Sequence, residues 1–400
     1  MLKILCAFLS FVSLNVSAEA INIGEKFFID SKILEEQREY WISLPDSYKK
    51  NGFKKYPVFY FLDADQNNFF QTFSGMVKQM GSDASPQIPE MIFVGITMGA
   101  GSKRYFDATP TASTVQYGGQ KNDSIKTGGA SKFLKYLQQE LIPHIDTTYS
   151  TSDYRLLSGY SVTGMPVIQA LYTMPKTFNG YIAVDPSIWF DNHVMLRRTE
   201  NFIKNTELHK RRLFLASSHR VGAVYPKENY TLELIEKMNV TSKEGLDFGS
   251  VIYGLEENHQ SMPVLSFYKG LRHIFDGYMI DEETRFRPAN ELKSHFQKLS
   301  EKLGSNFFLN EGLVQYFGYD NLYNTQFGKV NINQAIEYFK LNVENYPESS
   351  NAWDSLGEGY LVNGKYTPAL SAYKKALELS PNNKSVKVQI EKIELLKQTN

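Results

Sequence analysis

The chain of 400 residues contains a single cysteine, Cys6, which lies close to the first residue. The segment around it is typical of a secretory signal peptide, with a basic start at Lys3, an apolar stretch over 4–12 and a small-residue cleavage site ending at Ala18. Removal of residues 1–18 leaves no cysteine, which excludes disulfides, thiolate metal sites and a cysteine nucleophile. We therefore expect an exported protein, either periplasmic or secreted.

Neither sign of charge is in excess, because 43 lysines and arginines balance 43 aspartates and glutamates. This balance argues against the basic surface that nucleic-acid-binding proteins carry. The apolar stretch near the first residue is too short and interrupted to span a membrane, which takes about 20 apolar residues. What the chain does have is the composition of an ordered globular protein, 42% hydrophobic with 25 tyrosines and 27 phenylalanines. Its length predicts two or three domains at roughly 150 residues each.

Short apolar runs alternate with amphipathic helical patterns over the first two thirds of the chain. After an alternating segment, strand-like runs lie at 56–62, 91–96, 154–160, 181–184, 212–216 and 248–254. Runs without a polar face are typical of parallel strands that are buried on both sides. Helical patterns lie between them at 131–145, 165–172 and 229–238. The alternation predicts an α/β fold with a mostly parallel central sheet flanked by helices.

The character of the sequence changes after about residue 276, where the strand runs stop and an amphipathic helical pattern covers 290–303. Eight later positions fit the tetratricopeptide pattern: Trp353, Leu356, Gly357, Tyr360, Ala369, Tyr373, Ala376 and Pro381. Three of them recur 34 residues earlier, at Ala335, Phe339 and Pro347. We predict about two repeats, the first with a degenerate first helix. Two repeats cannot bury a solenoid core alone, so we expect them to pack on the preceding structure or to self-associate, with partner binding as the alternative.

A candidate nucleophile lies in the sequence Gly-Tyr-Ser-Val-Thr-Gly at 159–164, between a buried strand and a helical pattern. This is the position of a nucleophile elbow, in which small residues permit a sharp turn that exposes the serine oxygen. The match to G-x-S-x-G is imperfect, because Thr163 occupies the place of the second glycine and Gly164 follows it. The location after a buried strand makes Ser161 the candidate nucleophile.

A serine nucleophile needs a base, and His259 is the candidate because it lies in a polar loop after a strand-like run. His219, which also follows a strand, is the second choice. The acid stays open. The first carboxylate after the 212–216 strand is Glu228, and the alternatives are Asp185, Glu257 or a Ser–His dyad without a third member.

An oxyanion hole needs two backbone donors that face the developing negative charge. One is expected to be the N–H of Val162, the residue after the nucleophile. The other is expected in the loop after the 56–62 strand, at Asp65.

Segments from 23 to 278 together resemble the putative-esterase family of α/β-hydrolases, which includes esterase D-like enzymes and the enterochelin and salmochelin (siderophore) esterases. They are YFLDAD at 60–65, VGI at 94–96, Arg104 with Asp107, Thr109 and Pro110, ELIP at 140–143, GYSVTG at 159–164, DPSIW at 185–189, ENHQS at 257–261 and YKGLR at 268–272. The sequence departs from the family pattern at Tyr160, where histidine is usual, and at Thr163, where glycine is usual.

The resemblance implies ester hydrolysis by Ser161 and His259, and neither a metal nor another cofactor is expected. Arg104 is expected either to contact an anionic or catecholate substrate or to pair with Asp107. Trp189 is expected to line an acyl or aromatic pocket or to pack in the core. The same two alternatives apply to Phe69 and Phe70.

We therefore predict a signal peptide at 1–18, an α/β-hydrolase domain at 19–280, a helical linker at 281–310 and tetratricopeptide-like repeats at 311–400. The expected function is that of an exported serine esterase acting on a small-molecule carboxylic ester, with a siderophore lactone as one candidate. Two alternatives remain. One is a non-catalytic hydrolase-like protein whose repeats hold a protein partner, and the other is an acyltransferase that uses the same serine and histidine.

Overall fold

The computed structural model describes residues 21–50, 52–82, 86–114, 123–218, 229–241, 243–324 and 330–399. The predicted signal peptide and the candidates His219 and Glu228 lie outside these ranges. Within them, no helix combines the length and the apolar character that crossing a membrane requires.

The strands of the described residues form one eight-stranded sheet. The strands are β1 (Glu25–Ser31), β2 (Glu36–Ser43), β3 (Tyr56–Leu62), β4 (Ile92–Ile96), β5 (Thr151–Tyr160), β6 (Gly180–Val184), β7 (Arg211–Ser217) and β8 (Leu246–Ile252). Their spatial order is β1-β2-β4-β3-β5-β6-β7-β8. β2 pairs antiparallel with β1 and with β4, and the six strands β3 to β8 run parallel to one another. The predicted mostly parallel sheet is confirmed, and each apolar run became a strand.

Helices cover both faces of the sheet, because parallel strands are joined by crossovers that place a helix on a face. They are α1 (Phe69–Met80), α2 (Ser102–Ala108), α3 (Ala130–Tyr136), α4 (Ile142–Thr148), α5 (Gly164–Thr173), α6 (Phe190–Asn205), α7 (Tyr230–Thr241) and α8 (Pro263–Ile274). Helices α3 to α7 share one hydrophobic core with the sheet. Helices α1 and α8 share a second core on the opposite face.

The helical pattern predicted over 131–145 is two helices, α3 and α4, joined by a π-helical turn at Leu137–Leu141. The turn contains Glu140, whose carboxylate accepts hydrogen bonds from the backbone N–H groups of Lys32 and Ile33, both at 3.0 Å. A residue of the π-helical turn thus anchors the turn between β1 and β2 through these hydrogen bonds.

After α8, the described residues form the α-helices α9 (Ala289–Leu303), α10 (Glu311–Tyr323), α11 (Ile332–Asn345), α12 (Ser350–Val362), α13 (Tyr366–Leu379) and α14 (Lys384–Thr399). Phe296 of α9, Phe317 of α10 and Tyr338 of α11 belong to the same hydrophobic core as Phe267 of α8. The first tetratricopeptide-like pair therefore packs on the hydrolase unit, one of the arrangements expected for so short an array.

Both helix pairs have the same close contact between a glycine and an aromatic ring. A Cβ on Gly357 would lie 2.8 Å from the ring of Tyr373, and a Cβ on Gly318 would lie 2.3 Å from the ring of Phe339. The two rings are 34 residues apart, whereas the two glycines are 39 residues apart. The longer connection between α10 and α11 explains why a fixed period of 34 misses the first helix of the first copy.

Candidate active site

The carboxyl ends of β5, β6 and β8 bring the candidate side chains together. Ser161 directly follows β5, Asp185 directly follows β6, and His259 lies in the loop after β8. These strands lie on one side of the sheet in the order β5-β6-β7-β8 and run parallel. Their carboxyl ends therefore meet at one edge, which is where open α/β sheets bind ligands.

A continuous chain of hydrogen bonds joins the three side chains. His259 Nε2 lies 3.1 Å from Ser161 Oγ, and His259 Nδ1 lies 2.6 Å from Asp185 Oδ2. Ser218 Oγ donates to the same carboxylate oxygen at 2.7 Å, and the Asp185 side chain is fully buried. A carboxylate at Nδ1 favours the tautomer that carries its proton there, which leaves Nε2 free to accept the serine proton.

The backbone at Ser161 has a φ of 59°, a left-handed conformation that few non-glycine residues adopt. Two glycines make room for this turn. A Cβ on Gly159 would lie 2.2 Å from the carbonyl oxygen of Thr163, and one on Gly164 would lie 2.8 Å from Cβ of Pro186. The close approach of helix α5 to the end of β6 thus depends on Gly164, one position later than in the G-x-S-x-G pattern.

Thr163 is fully buried and is held by its hydroxyl group. Its Oγ1 accepts the backbone N–H of Tyr160 at 3.0 Å and lies 2.7 Å from Asp63 Oδ2, to which it donates. A glycine at this position would make neither contact. The departure from the family pattern therefore adds a link between the elbow and the loop after β3.

Asp63 is the centre of a buried ion pair beside the elbow. Arg104 donates to it from Nε at 2.7 Å and from Nη2 at 2.6 Å, a bidentate arrangement. Of the two alternatives for Arg104, pairing with Asp107 is wrong, because Asp107 accepts instead from the buried Arg38 at 2.6 Å. Burial raises the pKa of the Asp63 carboxyl, against the opposing effect of Arg104.

Replacing Arg104 with glutamine is expected to lower the free energy of unfolding by roughly 3 kcal/mol, because Asp63 would stay buried without a cation. Urea unfolding at pH 7 measures the loss. The deficit should shrink as the pH falls through the raised pKa of Asp63, since the protonated carboxyl carries no charge to bury.

The neighbouring Lys103 supplies a matched control for Arg104. Its ion pair with Glu36 joins side chains that are 42% and 38% exposed. Lys103→Gln should therefore cost less than about 1 kcal/mol. Equal losses for the two variants would contradict a structural role for the Arg104–Asp63 pair.

The loop after β3 is held by the side chain of Asp65, the candidate oxyanion residue. Its carboxylate accepts the backbone N–H groups of Met98 and Gly99, each at 3.0 Å. Within the described ranges, no acceptor takes a hydrogen bond from the backbone N–H of Asp65 or from that of Val162. Neither amide is therefore paired within the described structure, although neither residue is among the described lining of the cavity at Ser161.

Ser161 and His259 open onto a cavity of about 580 Å³. Its described lining residues are Gln66, Asn67, Phe69, Thr72, Phe73, Arg104, Tyr160, Ser161, His259, Gln260, Ser261, Pro263 and Val264. Trp189 is not among them and packs instead against the core formed by α3 to α7. Phe70 is buried and contacts the ring of Trp41, so of the two neighbouring phenylalanines only Phe69 reaches the cavity.

A larger cleft of about 1120 Å³ lies at the opposite edge of the sheet, between the amino ends of the strands and helix α9. Its described lining includes Asp153, Arg155 and Arg211 but neither Ser161 nor His259. Among the residues with a described position, no group of three or more histidine, aspartate or glutamate side chains could hold a metal ion.

Of the open alternatives for the acid, the residue next to His259 Nδ1 is Asp185. Glu257 lies in the His259 loop, but its carboxylate accepts from Ser261 Oγ at 2.5 Å. The signal for Asp185 in the sequence is its place as the first residue after a buried strand, the same signal that selected Ser161.

Comparison with known proteins agrees with this architecture. Residues 31–220 match the family model described as "Putative esterase". Over 222 residues the chain is 30% identical to the ferri-bacillibactin esterase BesA of Bacillus subtilis, a match that covers 52% of this chain and 76% of that protein. The crystal structure of an IroE-like serine hydrolase from Shewanella oneidensis superposes with a TM-score of 0.70 at 27% identity, covering 80% of this chain and 99% of that one.

A further similarity extends over 64 residues, with 38% identity to Superkiller protein 3 of Schizosaccharomyces pombe. It covers 16% of this chain and 5% of that protein. Because the chain covers 76% of BesA at 30% identity and matches the family model over residues 31–220, it belongs to the putative-esterase family of carboxylic ester hydrolases, with a tetratricopeptide-like helical region after the hydrolase unit.

Proposed function

We propose that this esterase acts through a covalent acyl-enzyme formed on Ser161, with His259 as the base and Asp185 as the acid of the triad. The observation that carries the proposal is the hydrogen-bond chain from Ser161 Oγ through His259 to the buried Asp185. Such a chain at the carboxyl edge of an α/β sheet has the geometry of a Ser-His-Asp triad. It also argues against a non-catalytic relic, in which nothing would maintain the alignment.

In the first half of the reaction, Ser161 Oγ attacks the ester carbonyl carbon while its proton passes to His259 Nε2. Asp185 stays ionised and stabilises the imidazolium. The oxyanion of the tetrahedral intermediate accepts hydrogen bonds from the N–H groups of Val162 and Asp65. His259 then donates its proton to the departing alkoxide, which leaves as the alcohol. In the second half, water attacks the acyl-enzyme by the same proton transfers, and the carboxylic acid is released.

We further propose that the substrate is an ester of the siderophore type. BesA is a ferri-bacillibactin esterase by name, and this chain is 30% identical to it over 222 residues. The cavity combines the rings of Phe69 and Phe73 with the guanidinium of Arg104. Aromatic rings stack on planar acyl groups, and Arg104 keeps its Nη1 group free of the Asp63 pairing to meet a polar group of the substrate.

Export and the helical region complete the proposal. The sequence of residues 1–18 favours secretion or a periplasmic location, where an esterase meets siderophores taken from the medium. Helices α9 to α11 are part of the hydrophobic core on the α1 and α8 face. We therefore propose that the first helix pair stabilises the hydrolase unit, and that α12 to α14 offer a surface for a protein partner or a second copy.

Labelling of the purified protein with a fluorophosphonate probe tests the proposed mechanism, because the probe phosphonylates an activated serine and is retained. We expect one adduct on the peptide that contains Ser161, and turnover of short-chain p-nitrophenyl esters that the label abolishes. Preincubation with a siderophore lactone should slow labelling. An adduct on another residue, or neither labelling nor turnover, would contradict the proposal.

A further inference from the structure

Tyr160, which stands where the family usually has histidine, makes two contacts with His259. Its ring stacks on the imidazole with 4.7 Å between ring centroids and an interplanar angle of 29°. Its hydroxyl group donates to the backbone carbonyl oxygen of His259 at 2.5 Å. The ring of Phe69 meets the edge of Tyr160 at 5.8 Å, and only 7% of Tyr160 is exposed. One side chain thus restrains both the backbone and the ring of the proposed base.

The loop that carries His259 needs such a restraint, because it lies outside regular secondary structure between β8 and α8. Apart from the Tyr160 contact and the contacts of the imidazole with Ser161 and Asp185, the hydrogen bonds around His259 stay within the loop. Ser261 Oγ accepts the backbone N–H of Asn258 at 2.9 Å and donates to Glu257. These contacts shape the turn without fixing its distance from Ser161. Tyr160 is the last residue of β5 and is bonded to Ser161, so the same rigid strand positions the nucleophile and contacts the base.

We infer that Tyr160 is a positioning residue that holds the imidazole of His259 at hydrogen-bonding distance from Ser161. The inference rests on the proposed Ser–His–Asp function. The hydrogen bond from the Tyr160 hydroxyl to the His259 carbonyl fixes the distance between the loop and the end of β5. The Tyr160 ring packs against one face of the imidazole and restricts its rotation. Asp185 fixes the remaining rotation from the other side through Nδ1.

Two variants separate the contacts that Tyr160 makes. Tyr160→Phe keeps the ring and removes the hydrogen bond, and Tyr160→Leu removes both. Displacement of a catalytic group by about 1 Å costs on the order of 10²-fold in rate. We therefore expect kcat for a p-nitrophenyl ester to fall about tenfold in Tyr160→Phe and about 100-fold in Tyr160→Leu, with KM unchanged. The second-order rate of fluorophosphonate labelling should fall by the same factors.

Tyr346 is a matched control, because it is also 7% exposed and donates to a backbone carbonyl, that of Leu309 at 2.8 Å. Tyr346→Phe should leave kcat and the labelling rate unchanged at a comparable loss of stability. A higher KM with an unchanged kcat in the Tyr160 variants would overturn the inference, since Tyr160 would then be a substrate contact. Unchanged kinetics would also overturn it.

The low-field proton resonance of the His259–Asp185 hydrogen bond provides a readout that does not require turnover. We expect a sharp signal in the unmodified protein and in Tyr346→Phe, and a weakened or broadened one in Tyr160→Phe. An equally sharp signal in Tyr160→Phe would count against the positioning role.

A protein that shows the signal and its dependence on Tyr160, yet neither reacts with the fluorophosphonate probe nor hydrolyses esters, would contradict the proposed function alone. Tyr160→Phe carries the test if Tyr160→Leu does not fold.

Discussion

Replacement of Ser161 by alanine is expected to lower kcat for ester hydrolysis by roughly 10⁴- to 10⁶-fold, the range found when a serine nucleophile is removed. Alanine has no oxygen to form the acyl-enzyme, and His259 cannot make up the loss because its Nε2 then has no proton to accept. KM should change little, since the rest of the cavity is unaltered. Steady-state kinetics with a p-nitrophenyl ester measures the effect.

Ser74 is a suitable control for the Ser161 variant. It is a buried serine on α1, the helix that also carries the cavity residue Phe73, but it does not line the cavity itself. Ser74→Ala should retain activity within a few-fold. If Ser161→Ala kept more than about a hundredth of the activity, the acyl-enzyme mechanism would be excluded and a water nucleophile would replace it.

Replacement of Asp185 by asparagine is expected to lower kcat by roughly 10³- to 10⁴-fold with little change in KM. The amide is nearly the size of the carboxylate, so the loss of activity is expected to come from the changed charge and hydrogen bonding and not from a steric change. Its NH₂ group donates where the carboxylate accepts, which favours the tautomer of His259 with the proton on Nε2. That tautomer cannot take the proton of Ser161. The variant should fold, because Ser218 Oγ, which donates to Asp185 at 2.7 Å, still finds an acceptor or a donor in the amide.

The same series decides between the carboxylates that the sequence left open. Glu257→Gln should keep activity within a few-fold, because that carboxylate accepts from Ser261. Glu228→Gln should behave in the same way if Asp185 is the acid. A loss confined to Glu228→Gln would make Glu228 the acid. Full activity in all three variants would establish a Ser–His dyad.

Much of the fold followed from local signals in the sequence. The run predicted at 56–62 is strand β3 with the same bounds, because a stretch that is apolar on both faces is stable only inside a sheet. Ser161 and His259 were selected as candidates because each follows such a strand, in a turn or polar loop. Their hydrogen bond joins residues 98 apart in the chain, yet the parallel topology alone brought them to one edge.

The choice of Asp185 as the candidate acid and the pairing of Arg104 both needed the tertiary structure. Every strand end offers polar residues, and only the order β5-β6-β7-β8 places Asp185 next to the histidine loop. Arg104 was expected either to contact the substrate or to pair with Asp107 on the same helix. Its guanidinium instead reaches Asp63, 41 residues earlier, because the loop after β3 buries that carboxylate against the elbow.

The sequence by itself determined the mostly parallel sheet, the tetratricopeptide-like helices and the positions of Ser161 and His259, because each depends on the pattern of neighbouring residues. Only the tertiary structure decided that Asp185 is the carboxylate at His259 Nδ1, that Thr163 binds Asp63 and that Tyr160 stacks on the imidazole. These contacts depend on strand order, register and the path of loops. Such features arise from the packing of the whole chain, and no residue pattern within a single segment predicts them.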